Sequence, residues 1–390
     1  MIAAVPVLAA LLAQAAPPAG YASVFVDHFP NRDATELRAR VFAEEKIDAG
    51  PRLRVTASGF VEGLVADRSG RVDDAIAEPQ DLTITVRSAR AEVTAGLGRV
   101  VWGRLDELQP TDVVNPLDLS RFFFEGRSEA RMSVPLVRGR LFAGDHASVE
   151  AVYVPFFRRA RFDRLDEPSS PFTLAPAVPV TDRTPARIAA NAQGGARVNV
   201  TTGRVDWSVS AYDGFRPFGL YTPSPAGALE RTYSRFTMIG GDFETTRGVW
   251  AVRGEAAIFP RDVFQTAASP EILHGSSFDA GAGVDRKAGD YRVSGDVIVH
   301  RESHDRASRT DVSLIASMNR DFAREKYQTR VFALYNPGEA SGFLRAIAVA
   351  GVRDNVKVEG SIGWFVGSGE DTISRFSDSD FLYLRLKYFF

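Results

Sequence analysis

Along most of this chain, apolar or small side chains alternate with ionic or hydrophilic ones at a period of two. Leu382, Leu384, Leu386, Tyr388 and Phe390 share one face of the last segment, and Tyr383, Arg385 and Lys387 share the other. Upstream, Val356, Val358, Gly360, Ile362, Trp364 and Val366 oppose Lys357, Glu359 and Ser361. The same two-faced text runs through 291–300, where Val297 opposes Asp296, through 250–258 and through 53–62. In a strand, residues i, i+2 and i+4 lie on one side, so each segment has one apolar and one wet face. These runs match the ~9–11 tilted residues that cross a bilayer and exceed the ~5–6 typical of globular sheets. A 3.6-residue period is nearly absent. The pattern predicts an all-β fold: an antiparallel up-and-down transmembrane β-barrel with lipid outside and water inside.

Charge and composition exclude other classes. The 390 residues carry 47 Lys plus Arg against 49 Asp plus Glu, a net charge of −2 that offers nucleic acid no basic surface. There is no cysteine, which removes disulfides, thiolate catalysis and Cys-based metal sites. Ile2 to Ala16 is apolar apart from Gln14, and Ala13-Gln14-Ala15 is an A-x-A cleavage site, so residues 1–15 read as a secretory signal peptide. No Lys or Arg precedes the apolar run, which leaves the start codon open. No later run reaches the ~18 apolar residues of a membrane helix. Residues 16–34 form an N-terminal segment and 35–390 the barrel. The clear strands come to an odd number where an even one is expected, and Ala22–His28 is the candidate for an additional first strand, giving 16–18.

Tight turns are expected at Gly203-Arg204, Arg247-Gly248 and Ala288-Gly289-Asp290, each followed by an aromatic: Trp207, Trp250 and Tyr291. An aromatic at that place suits an interfacial girdle, because its ring is apolar and its edge tolerates headgroups. Other short turns are expected near 47–51, 95–98, 143–146, 322–325 and 353–355. Long connections are expected near 67–80, 105–128, 157–187, 214–231, 261–275 and 368–379. Short and long alternate, which puts the short turns in the periplasm and the long loops outside the cell.

Particular residues carry a resemblance. Arg99-Val100-Val101-Trp102-Gly103-Arg104, followed by Pro110-Thr111-Asp112-Val113-Val114-Asn115-Pro116-Leu117-Asp118, resembles a block of a proteobacterial outer-membrane family of unknown function. Residues 131–135 and 149–156 resemble its next hairpin, and Met238-Ile239-Gly240-Gly241 its middle segment. The resemblance implies a porin-like barrel and carries no catalytic residues. The final strand, with Tyr388 and Phe390, looks like the C-terminal signal read by the barrel-assembly machinery.

No G-x-S-x-G elbow, phosphate loop or H-E-x-x-H occurs. His300 and His304 end a strand, where four residues at ~3.3 Å each set them too far apart to share a metal. No enzyme activity, cofactor or metal is expected. The wet faces put Arg52, Arg54, Arg253, Glu255, Arg292, Asp296, Lys357, Glu359 and Arg385 in the lumen, a near-balanced lining that gives little ion preference. Asp106–Phe124, with Asp106, Glu107, Asp112, Asn115, Asp118 and two prolines, is the candidate constriction loop, with packing on the outer rim as its alternative. The expectation is an outer-membrane channel of a Gram-negative envelope passing small solutes, passively or with weak selectivity. Its partners would be outer-membrane lipid, the barrel-assembly machinery and the solute, and a homo-oligomer stays open. The alternatives are a closed structural or lipid-handling barrel partnering an envelope transport system, and an outer-membrane hydrolase.

Overall fold

Eighteen strands close on themselves in a computed structural model that describes residues 19–66, 72–161, 178–224, 227–265, 271–304 and 307–390. The expected signal peptide, 1–15, lies outside the described residues. The first part of the wall is β1 (Ala19–Phe29), β2 (Ala34–Ala49), β3 (Leu53–Ala66), β4 (Val72–Arg87) and β5 (Ala91–Gly98). A long inserted segment, 99–133, follows and carries two short helices, α1 (Leu119–Glu125) and α2 (Arg127–Ala130). The wall resumes with β6 (Val134–Ala143) and β7 (Ala147–Val154). Outside it, β8 (Val180–Arg183), β11 (Leu220–Pro223) and β12 (Leu229–Thr232) form a small three-stranded sheet, interleaved with β9 (Gln193–Thr202) and β10 (Val205–Phe215).

The rest of the wall is β13 (Arg235–Arg247), β14 (Trp250–Phe264), β15 (Leu273–Ala288), β16 (Tyr291–His304), β17 (Ala307–Phe322) and β18 (Tyr327–Asn336). Then come β19 (Ser341–Arg353), β20 (Val356–Val366), a short helix α3 (Thr372–Arg375) and β21 (Phe381–Phe389). Wall neighbours pair antiparallel in chain order, and β1 closes the ring on β21 from Tyr21↔Phe389 to His28↔Leu382. Gly20 and Phe390 exchange both backbone hydrogen bonds at 3.1 Å, so the termini meet at the end that holds the tight turns. Closure leaves no open edge, which a lipid-exposed sheet requires.

The two faces sort as the period predicts. Val24, Val41, Val61, Ile84, Val297, Leu314, Trp364, Leu384 and Leu386 point outward and are exposed, forming the band that lipid covers. Trp207, Trp250 and Tyr291 are exposed beside their tight turns. Arg286 lies over the Trp250 ring at 5.0 Å and Arg320 over Tyr291 at 4.8 Å, each from the directly paired position of the next strand.

Several expectations need correction. The tight turn expected at 95–98 lies instead between β4 and β5, and 95–98 is strand. Gly96 there has φ +137, and a Cβ would run into the Leu82 carbonyl, so the glycine marks a close approach of backbones. The long connection expected at 67–80 is mostly β4: Glu78 is inward, and Pro79 is accommodated where the β3–β4 register shifts. Residues 337–340 make a tight connection at the loop end, so that end is not uniformly long. Arg52 is exposed in the β2–β3 turn, so it does not line the lumen wall.

The largest departure is inside. A wholly polar lumen is the simple expectation, yet two apolar clusters fill opposite sides of it. Phe25, Phe29, Phe332, Phe343, Phe365, Phe381 and Tyr383 form one, and Val134, Leu136, Val152, Tyr212, Phe236, Met238 and Phe259 form the other. Their partners come from the inserted segment.

Candidate functional site

The segment 99–133 leaves the wall after only eight residues of β5 and crosses the lumen. Its first part packs Val100, Trp102, Val113 and Val114 on the second cluster. The Trp102 indole donates to Glu150 of β7 at 2.7 Å and stands edge-on to Tyr212. Its last part lays Phe123 and Phe124 on the first cluster. Phe123 meets Phe343 at 5.3 Å and Phe365 at 5.1 Å between ring centres, and Phe124 meets Phe381 at 4.7 Å. Burying each such ring is worth about 1.5–3 kcal/mol, so the two clusters act as anchors. Above Phe123, the connection from β20 to β21 inserts Phe376 at 5.4 Å. Asp371 holds that connection, accepting from Asn336, Ser341 and the Ser374 amide. Burial pushes its carboxyl up, but these donors win and hold it below the ordinary carboxylate range.

Between the anchors the segment is held by polar groups. Glu255 of β14 accepts from the backbone amides of Arg104 (3.2 Å), Leu105 (3.1 Å) and Thr111 (3.3 Å), and from the Thr111 hydroxyl. One carboxylate therefore pins both ends of the tip 106–110. Arg104 pairs with Asp242 and Glu244 of β13. Leu105 lies against β15, packed over Gly281, where an added Cβ would meet its Cδ1 at 2.6 Å and force that side chain to shift. Asp106 pairs with Arg253 at 2.7 Å and Glu107 with Arg330 of β18 at 3.0 Å. Glu125 reaches Arg40 of β2 at 2.8 Å, and Arg40 also pairs with Glu62.

The residues singled out from the sequence divide accordingly. Asp106 is 48% exposed and Glu107 borders open space, so these two acids face the bore. Asp112 lies on the loop side of the tip with its carboxylate buried and paired with Arg127 and Arg131 of the same segment, so it is not the open, unpaired charge expected of a constriction acid. Asn115 accepts from the Val100 amide at 2.7 Å and donates to the Gly98 and Met132 carbonyls, stapling the base of the segment. Asp118 pairs with Arg161 at 3.0 Å. On the wall, Arg253, Arg292 and Asp285 form one inward network, and Arg385 pairs with Glu359. Asp296 is inward and buried, Arg54 pairs with Asp48 near the turn end, and Lys357 lies 5.8 Å from the Phe389 ring. Tyr388 and Phe390 are exposed on the outer face.

Among the described residues, one space borders each side of the segment. A cavity of about 610 Å³ lies on the turn side of the segment, where Phe122–Gly126, Ser128 and Glu129 border it together with Arg330, Arg345, Arg385 and Lys387 of the wall. A second of about 390 Å³ lies on the loop side, lined by Gln109, Pro110, Asp112, Arg216, Phe236 and Phe259. Glu107 borders the first and Gln109 the second, so the tip stands between them. Arg330 and Arg345 were not singled out from the sequence. Their signal was present, since each alternates with outward Val331 and Leu344. The loop-side space is roofed in part by the small sheet, where Asp182 gathers Arg159, Arg231 and Tyr233.

No protein-family model matches the chain, and no curated protein matches its sequence. Solved structures do match in fold. OccK5 (OpdH) of Pseudomonas aeruginosa superposes with a TM-score of 0.56 at 10% identity, over 96% of each chain. The outer-membrane protein OpdK of the same organism gives 0.56 at 9% identity, over 96% of this chain and 98% of that one. OpdK solved with vanillate gives 0.53 at 11% identity, over 96% and 97%. The closed wall, outer apolar band and inserted segment define an outer-membrane β-barrel of porin-like architecture, as the sequence resemblance implied. An outer-membrane location in a Gram-negative envelope goes with that architecture.

Proposed function

We propose that the protein is a channel for small solutes, in which the segment 99–133 is the constriction. The observation that carries this reading is the pair of chambers, about 390 and 610 Å³, separated by a tip that turns Asp106 and Glu107 to the bore and packs Leu108 on the first apolar cluster. Both chambers have charged and aromatic lining, so a solute with an apolar body and a charged group finds partners in each. In the larger one, Arg330, Arg345, Arg385 and Lys387 stand with Glu107, Glu125 and Glu359, which favours selection by shape and local pairing over selection by net charge. OpdK with vanillate offers a fold-level precedent for a small aromatic acid in such a barrel. On this reading Asp106 and Glu107 are the constriction acids, Arg253, Arg292, Asp296, Glu359 and Arg385 set the field along the path, and Tyr388 and Phe390 serve barrel assembly.

The test is conductance. Purified protein reconstituted in a planar bilayer should give discrete current steps in salt. A refolded barrel that adds no current over many insertions supports a closed scaffold instead.

A further inference from the structure

On the outside of the wall, charge is spread unevenly where the apolar band meets the tight turns. Outward positions there on β13, β15 and β17 hold Arg247, Arg286 and Arg320, all three exposed. Across the ring, the outward positions of β2 and β3 at the same end hold Ile47, Ala49, Leu53 and Val55, with Glu45 one outward step further along. The basic rim therefore belongs to one flank of the barrel.

These arginines are built into the aromatic girdle. Arg247 and Arg286 are the directly paired positions on the two sides of Trp250, which at ~4.8 Å per strand sets their backbones about 10 Å apart. Arg286 lies over the Trp250 ring, and Arg320 lies over the Tyr291 ring and 5.3 Å from the Phe322 ring. Stacking holds both guanidiniums against the wall and leaves their N–H edges free to donate. Inward arginines such as Arg253 and Arg385 each have a carboxylate. Among the described residues, none of the three rim arginines forms an ion pair with one. Beside them the surface turns apolar, with Phe243, Val284, Val293 and Met318 exposed.

We propose that this rim is a binding site for an anionic phospholipid. The phosphodiester sits between Arg247 and Arg286 at the edge of Trp250, where the planar guanidinium fork matches two phosphate oxygens. Arg320 adds to the local positive field, and the acyl chains run along Val284, Val293 and Met318. The level fits such a ligand, because the tight turns of an outer-membrane barrel lie on the periplasmic side, at the headgroups of the inner leaflet. The attraction is local, since the chain as a whole carries a net charge of −2. The site lies on the outer face and does not depend on whether the lumen conducts.

Fluorescence quenching by brominated lipid tests the site. The full chain with Trp207→Phe and Trp364→Phe keeps Trp250 as its outward indole, because Trp102 is buried in the lumen. This protein is refolded in phosphatidylcholine vesicles containing brominated phosphatidylglycerol or, for comparison, brominated phosphatidylethanolamine. The relative binding constant at Trp250 should favour phosphatidylglycerol by about fivefold or more, the scale of one arginine at an anionic surface. Adding Arg247→Gln, Arg286→Gln and Arg320→Gln should bring the two lipids to equal quenching. Removing three exposed turn arginines at the same end, by Arg52→Gln, Arg90→Gln and Arg204→Gln, should leave the preference in place. Heat-modifiable mobility checks that each variant is a folded barrel, and Arg286→Gln alone, expected to weaken the preference, stands in if the triple variant does not fold. Equal quenching by the two lipids before the arginines are changed overturns the site, as does a preference that survives loss of the rim arginines or falls equally with the turn arginines.

Discussion

The Thr111 hydroxyl donates to Glu255 at 2.5 Å, and through that bond a loop inside the lumen is buttoned to the wall at β14. Glu255 is 4% exposed and takes four donors from three residues of the segment. A buried carboxylate needs such partners, because an unpaired one costs several kcal/mol. Its placement therefore depends on the segment as much as the segment depends on it. Glu255→Ala should free both ends of the tip, leaving the amides of Leu105 and Thr111 unpaired at about 1–3 kcal/mol each. Cleavage by added protease within 104–111, in protein refolded in lipid, should rise well above wild type. Equal cleavage would show that the apolar anchors alone hold the tip.

The facing of the strands gives a second prediction. Val297 is 46% exposed on the outer band, whereas Asn319 of the adjacent strand points inward and borders the larger chamber. Val297→Arg should destabilise the refolded barrel by about 2–4 kcal/mol, as charges at mid-membrane do. Asn319→Arg should cost far less, since water solvates the new charge. Similar losses in a denaturant titration would contradict the assignment of faces.

Asp106 and Asp112 should respond differently to loss of charge. Asp106 is half-exposed toward the bore, so Asp106→Asn should lower the ratio of cation to anion permeability, read from reversal potentials in a salt gradient. Asp112 is buried between Arg127 and Arg131. Asp112→Asn leaves two guanidiniums without their carboxylate and should cost about 3–5 kcal/mol of stability with little change in ion preference. A selectivity change from Asp112→Asn in a stable barrel would show that its charge acts on passing ions despite the pairing with Arg127 and Arg131.

The external sheet should loosen in acid. Burial pushes the Asp182 carboxyl up, but donation from Arg231 and Tyr233 and the charge of Arg159 outweigh it and hold it below the ordinary range. A depressed carboxyl contributes stability that is present above its unfolded value near ~3.9 and is lost as pH falls through the lower folded value. Hydrogen exchange at 180–183 and 229–232 should thus be slow and pH-independent, after correction for intrinsic rates, down to about pH 4 and faster below. Asp182→Asn should show the fast behaviour already at pH 7. Protection in wild type that persists below pH 3 would remove Asp182 as the tie.

Much of this architecture was legible because a barrel wall writes its two environments directly into a period-two text. Trp250, Val252 and Ile258 against Arg253 and Glu255 need no tertiary knowledge to sort. The inserted segment was legible as a long, proline-bearing, acidic connection, but which acid faces the bore was not. Asp112 and Asp106 look alike in sequence, and only the approach of Arg127 and Arg131, from residues further along the segment, separates them. The apolar anchors were hidden for a related reason. Phe332, Phe343 and Phe365 sit on the wet face of their strands, and an inward aromatic has meaning only once Phe123 arrives to cover it. At 95–98 the glycines suggested a turn, whereas Gly96 serves a close approach within β5.

The central claim is that the tip between Leu105 and Thr111 divides the lumen. Replacing 106–110 by Gly-Gly removes the tip while keeping Trp102, Glu255, Thr111 and both apolar anchors in place. Unitary currents of this variant and of wild type, recorded in the same planar bilayers and salt, measure the effect directly. The account predicts a larger unitary conductance for the shortened protein, with weaker discrimination between cations and anions. Identical conductance and selectivity in the two proteins would mean that the path, if one exists, does not pass the tip.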